Sequence, residues 1–86
     1  MPVVSRFFGI VVAFYWVDHL PPHFHAKYAG DEAMVNIRTG EVLRGGLSPR
    51  AKSLVDEWRK QHVTELLDNW ERARQRRPLS YIAPLE

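Results

Sequence analysis

Two histidines one residue apart, His23 and His25, stand in the segment Asp18-His19-Leu20-Pro21-Pro22-His23-Phe24-His25. In an extended chain their rings point to the same side, with Cβ atoms roughly 7 Å apart. Imidazoles at that spacing can converge on one metal ion through Nε2. His19 comes earlier, across a loop stiffened by Pro21 and Pro22 that can fold it back toward the pair. Three histidines, with Asp18 as a fourth ligand or an orienting partner, would suit zinc or another first-row divalent ion. An open coordination position would then supply a Lewis acid and a metal-bound hydroxide. The same rings have two other uses. A single His can work without metal as a general base or acid, for instance on RNA. Alternatively, the rings can brace the proline turn through backbone hydrogen bonds and do no chemistry. The sequence leaves all three open, with His19, His23 and His25 as catalytic candidates and the same three plus Asp18 as metal candidates.

Little else in the chain points to a reaction. The absence of cysteine removes disulfides, thiol nucleophiles and thiolate metal sites. There is no Gly-rich phosphate loop, no Gly-x-Ser-x-Gly and no His-Glu-x-x-His. The formal charge of +2 is too small to select a partner. All of it comes from residues 48–86, where Arg72, Arg74, Arg76 and Arg77 crowd the end of a predicted helix. Cations there complement the helix dipole and mark a helix stop. A nucleic-acid-binding patch is the sharper reading of the same four residues. The longest apolar run, Phe7 to Val17, is short of the roughly 20 residues a bilayer span takes. A lone Arg6 before it and no small-residue cleavage site after it argue against a secretory leader. The expectation is a cytoplasmic protein with no membrane partner.

The elements that must hold these histidines can be read from the pattern. Val3-Val4 and Ile10 to Trp16 are β-branched and aromatic runs, with Gly9 marking a turn or bulge between them. After the proline loop, Phe24 to Tyr28 resumes as a strand, Ala29-Gly30-Asp31 turns, and Ala33, Val35 and Ile37 alternate with polar neighbours. Phe24 should face the core while His23 and His25 face away from it. Thr39-Gly40 turns again before a last short strand, Glu41 to Arg44. Ser48 is a good N-cap and Pro49 suits the first helical position. Ala51, Leu54, Val55, Trp58, His62, Leu66, Trp70 and Ala73 then form one apolar stripe. A straight helix from Ser48 to Arg76 would be about 43 Å long. A domain of this size is only about 30 Å across. A break between Lys60 and Thr64 is therefore expected, and His62 on the stripe reads as a helix-end or core residue. The tail from Leu79 offers Tyr81-Ile82 as a further short strand. The fold class predicted is α+β: a small antiparallel sheet of four or five strands over about residues 3–45, with two helices, about 48–61 and 63–76, packed on it. Residues 1–86 are expected to form a single domain, with a β part over 1–46 and a helical part over 47–86. An 86-residue chain can fold as a monomer, and a homo-oligomer is left open.

Taken together, Ser5-Arg6-Phe7-Phe8-Gly9-Ile10, Asp18-His19-x-Pro21-Pro22-His23-Phe24-His25-Ala26 and Thr39-Gly40-Glu41-Val42-Leu43 resemble a widespread bacterial family known as domain of unknown function 4160. The likeness continues through Glu57-Trp58, Leu66-Leu67-Asp68-Asn69-Trp70-Glu71-Arg72-Ala73 and Ile82-x-Pro84-Leu85. The resemblance implies no reaction and carries over no catalytic residue. It does imply a gene neighbour, a second small protein of the domain of unknown function 2442 type, in an arrangement similar to toxin–antitoxin modules. This chain would then be the toxin-like, partner-binding half; action on RNA through His19, His23 and His25 is the expectation that the residues themselves add. Two alternatives accompany that expectation: a non-enzymatic protein-binding module, and a protein that binds a divalent metal through its histidines.

Overall fold

The order of elements follows from where the chain can turn. The computed structural model describes residues 2–16 and 19–86. Strands β1 (Val3–Phe7), β2 (Ile10–Ala13), β3 (His23–Tyr28), β4 (Asp31–Asn36) and β5 (Val42–Gly45) form one antiparallel sheet in sequential order. Phe8-Gly9 and Ala29-Gly30 make two-residue turns with both residues at positive φ, the turn geometry that matches the twist of the flanking strands. β2 stops at Ala13, short of the expected Trp16. Phe14 N–H still reaches the Pro2 carbonyl at 3.0 Å, but Pro2 has no N–H to return and the ladder ends there.

Alternation along the strands gives the sheet two unlike faces. Val12 pairs with Ala26, Phe24 with Val35, Ala26 with Ala33 and Phe7 with Ile10, and all of these are buried. This face takes the helices. Trp58 of α1 (Pro49–Gln61) packs against Phe7 and Phe24, at ring-centroid distances of 5.2 and 5.9 Å. The Ser48 hydroxyl caps α1 by accepting from Ala51 N–H, with Pro49 in the first turn. The break falls at His62, which closes α1 and opens α2 (Val63–Arg74). The longest extent of the molecule is 33 Å, so an unbroken helix would have overrun it. His62 lies beside Trp58 and donates its Nδ1–H to Glu65 at 2.6 Å, as a helix-end residue should. Among the described residues no helix is long and apolar enough to cross a membrane.

Two polar devices fasten the remaining pieces. Buried Arg59 donates to Asp56 and to the carbonyls of Ile37 and Arg38, docking the β4–β5 turn on α1. Gly40 in that turn has φ +80°, and a Cβ there would run into the Asp56 and Arg59 side chains. The tail is pinned by Asn69, which is fully buried. Its amide accepts from Ser80 N–H and donates to the Ser80 carbonyl, both at 2.8 Å. Trp58 Nε1–H donates to Ala83 O, and Ile82 N–H donates to Val4 O on β1. The expected extra strand is thus reduced to one backbone bond, yet Ile82 and Leu85 are buried. Among the described residues no strand lies beyond β5 at the other edge.

α2 ends in a Schellman closure, with Arg76 N–H on Ala73 O and Arg77 N–H on Arg72 O. Arg76 occupies the left-handed position, φ +56°, where glycine is usual. Arg76→Gly should therefore raise stability by about 1 kcal/mol. Asn69→Ala, which strips both Ser80 bonds and leaves a void, should lower it by about 1–3 kcal/mol. Urea unfolding of the two variants checks both signs.

Candidate functional site

The strand period puts His23, His25 and Lys27 on the sheet face opposite the core, as Phe24 and Ala26 are buried on the other. Pairing then decides their neighbours. Met34 lies directly across from His25, Arg44 lies beyond Met34, and Glu32 lies across from Lys27. Glu32 reaches diagonally to His25, so that Nδ1–H donates to Oε2 at 3.0 Å. The Tyr15 hydroxyl donates to the same oxygen at 2.9 Å, and its ring stacks on the His25 ring at 3.9 Å. Lys27 Nζ stands 3.9 Å from Oε1. Partial burial works against the Glu32 charge. The Tyr15 and His25 hydrogen bonds and the Lys27 charge outweigh it, holding the carboxyl below its ordinary value.

An ionised carboxylate can only accept, so Nδ1 of His25 carries a proton, which in a neutral ring leaves the lone pair on Nε2. His25 is only 5% exposed. It lines a recess of about 290 Å³ together with Tyr15, Glu32, Met34, Arg44 and Gly45. Gly45 is a close-approach position, because a Cβ there would strike the Glu32 carbonyl. Arg44 is exposed, and its guanidinium has no hydrogen bond or ion pair with any described residue.

His23 is held more deeply. Its Nδ1–H donates to the Pro21 carbonyl at 2.8 Å, its ring meets His25 edge-on at 5.2 Å, and Trp70 of α2 covers it at 5.0 Å. Nε1 of Trp70 is buried beside it with no hydrogen-bond partner. His19 sits exposed on the β2–β3 loop, and Asp18 lies outside the described residues. The structure thus joins His23 with His25 and adds Glu32 and Tyr15. Among the described residues no group of three or more His, Asp or Glu is arranged to hold a metal ion.

Three of the four arginines have side-chain partners near the end of α2. Arg72 bonds Asp68 at 2.8 Å and the Pro78 carbonyl, Arg74 bonds Glu71, and Arg77 bonds Gln75. Arg76 makes the left-handed turn. Sequence reasoning missed Tyr15, Glu32 and Arg44. For Glu32 a signal existed: a two-residue turn at Ala29-Gly30 forces Tyr28 opposite Asp31 and Lys27 opposite Glu32. The carboxylate therefore had to share a face with His25.

A family model described as domain of unknown function (DUF4160) matches residues 9–71, and the chain belongs to that family. The matched span contains every residue that lines the recess. No curated protein and no solved structure matches the chain.

The Glu32 carboxyl has its pKa lowered from 4.5 on folding, so its contribution to stability is full above that value and disappears as pH falls through the folded value. Between about pH 6 and about pH 3, Glu32→Gln should flatten the acid loss of stability relative to the native chain. Tyr15→Phe should flatten it in part. Urea midpoints across that range provide the check, and parallel curves for all three proteins would contradict it.

Proposed function

We propose that this chain is the toxin-like, partner-binding half of a two-gene pair and acts on RNA through His25. The observation that carries the reading is an imidazole whose tautomer is fixed by Glu32, at the floor of a recess with an arginine on its wall. Such a ring is equipped as a general base. Arg44 supplies charge for a phosphodiester, and Glu32 and Tyr15 act as positioning residues. In the reaction that suits these groups, His25 takes the proton of a ribose 2′-hydroxyl. The 2′-oxygen then attacks phosphorus, and the bond to the 5′-oxygen breaks. The proton held by His25 passes to that leaving oxygen, giving a 2′,3′-cyclic phosphate and a free 5′-hydroxyl. No metal is required.

The partner in this reading is the neighbouring small protein of the domain of unknown function 2442 type, which neutralises the chain by binding it in the cytoplasm. A protein-binding module without catalysis is the second reading. It is favoured by exposed Trp16 (44%) and Leu20 (68%) on the β2–β3 loop, an apolar pair suited to a protein contact.

Expressed alone, the chain should arrest growth, and co-expression of the neighbour should relieve the arrest. His25→Ala should lower RNA cleavage by about 10²- to 10⁴-fold. Glu32→Gln should lower it less, because the base survives with its orientation loosened. Normal growth and no cleavage, with a stable partner complex that tolerates His25→Ala, would instead establish the binding module. Metal analysis of untagged protein separates both from a metal-dependent activity.

A further inference from the structure

The depth of His25 constrains what can reach it. His25 is only 5% exposed and lies beneath Tyr15, on the sheet face where Trp70 of α2 covers the neighbouring His23. A base-paired ribose keeps its 2′-hydroxyl along the shallow groove of a stiff, convex cylinder. To bring that hydroxyl within hydrogen-bonding distance of a ring at the floor of a recess, the nucleotide must leave the stack. Unpairing and unstacking cost a few kcal/mol, a cost that an unpaired strand avoids.

The rest of the face has the features such a strand needs. Beside the His25 recess lies a second one of about 300 Å³, lined by Lys27, Val11 and Gly9, and Glu32 is common to both. The register places Arg6, Val11, Lys27 and Glu32 in one row across β1 to β4, and His25, Met34 and Arg44 in the next. Lys27 and Arg44 therefore flank the two recesses from different rows. Trp16, next in the chain to Tyr15 and 44% exposed, offers an aromatic surface of the kind on which unpaired bases stack.

Resting on the reading above, we propose that the substrate is unpaired RNA, lying across the outer face of the sheet with the reacting nucleotide in the His25 recess and its neighbour over Lys27. Duplex RNA is excluded by the depth of the ring. The face reads the strand through charge and stacking, which implies weak sequence preference.

The test measures binding apart from turnover. A fluorescein-labelled, unstructured RNA oligonucleotide is titrated with the full chain and followed by anisotropy, alone and annealed to its complement. The unpaired form should bind at least about tenfold more tightly. Lys27→Gln and Arg44→Gln should each weaken it about three- to tenfold and each reduce the slope of log affinity against log salt by about 0.7. Circular dichroism confirms that the variants fold. Equal or tighter binding of the duplex overturns the proposal, as does an unchanged salt slope in both variants. A clear preference for the unpaired strand without cleavage or growth arrest would leave this inference standing and remove the catalytic reading.

Discussion

The hairpin of β3 and β4 sets everything else by its register. Two residues, Ala29 and Gly30, make the turn, so every pair along the hairpin is fixed from Tyr28–Asp31 to His23–Asn36. With that pairing Phe24, Ala26, Ala33 and Val35 fall on the helical side and are sealed from water. Burying side chains of this size contributes roughly 1.5–3 kcal/mol each for Phe and Val. A slip of one residue would turn the apolar pair of one strand outward and put His25 and Glu32 on opposite faces of the sheet. The hydrophobic side of the hairpin therefore holds the polar side in register. The His25–Glu32 bond is a by-product of packing on the opposite face.

The same coupling reaches the far end of the chain. Trp70 covers His23, and the residue beside it, Asn69, holds the tail through Ser80. Trp58 fills the space between Phe7 and Phe24 and also binds the tail at Ala83. Each large aromatic therefore serves as core and as anchor, which is how a small chain compensates for a core of limited volume. Arg59 does comparable work for the β4–β5 turn. Its charge is balanced by Asp56, whose carboxyl is held below its ordinary value: burial opposes ionisation, while Arg59, Lys52 and Lys60 favour it more strongly.

Much of the architecture was legible in the residues. Glycines at turn positions and alternating apolar positions defined the strands, and a comparison of helix length with molecular width called for a break between Lys60 and Thr64, which falls at His62. Phe24 was correctly assigned to the core, because alternation is a local property. The partners of His25 were less visible. Glu32 depends on a turn whose type must be known before a diagonal neighbour can be inferred. Tyr15 follows Ala13 into a loop where periodicity no longer applies, so only the folded chain brings its ring onto His25. Arg59 looks like any charged helical residue until the β4–β5 turn closes over it.

The two margins of the sheet are unlike. One carries the tail, bonded through Ile82 N–H to Val4 O, while among the described residues no strand lies beyond β5. Head-to-tail growth of a sheet into a fibre requires two complementary margins on every copy. A strand from another chain can pair along β5, whereas along β1 it must first displace the tail from Val4.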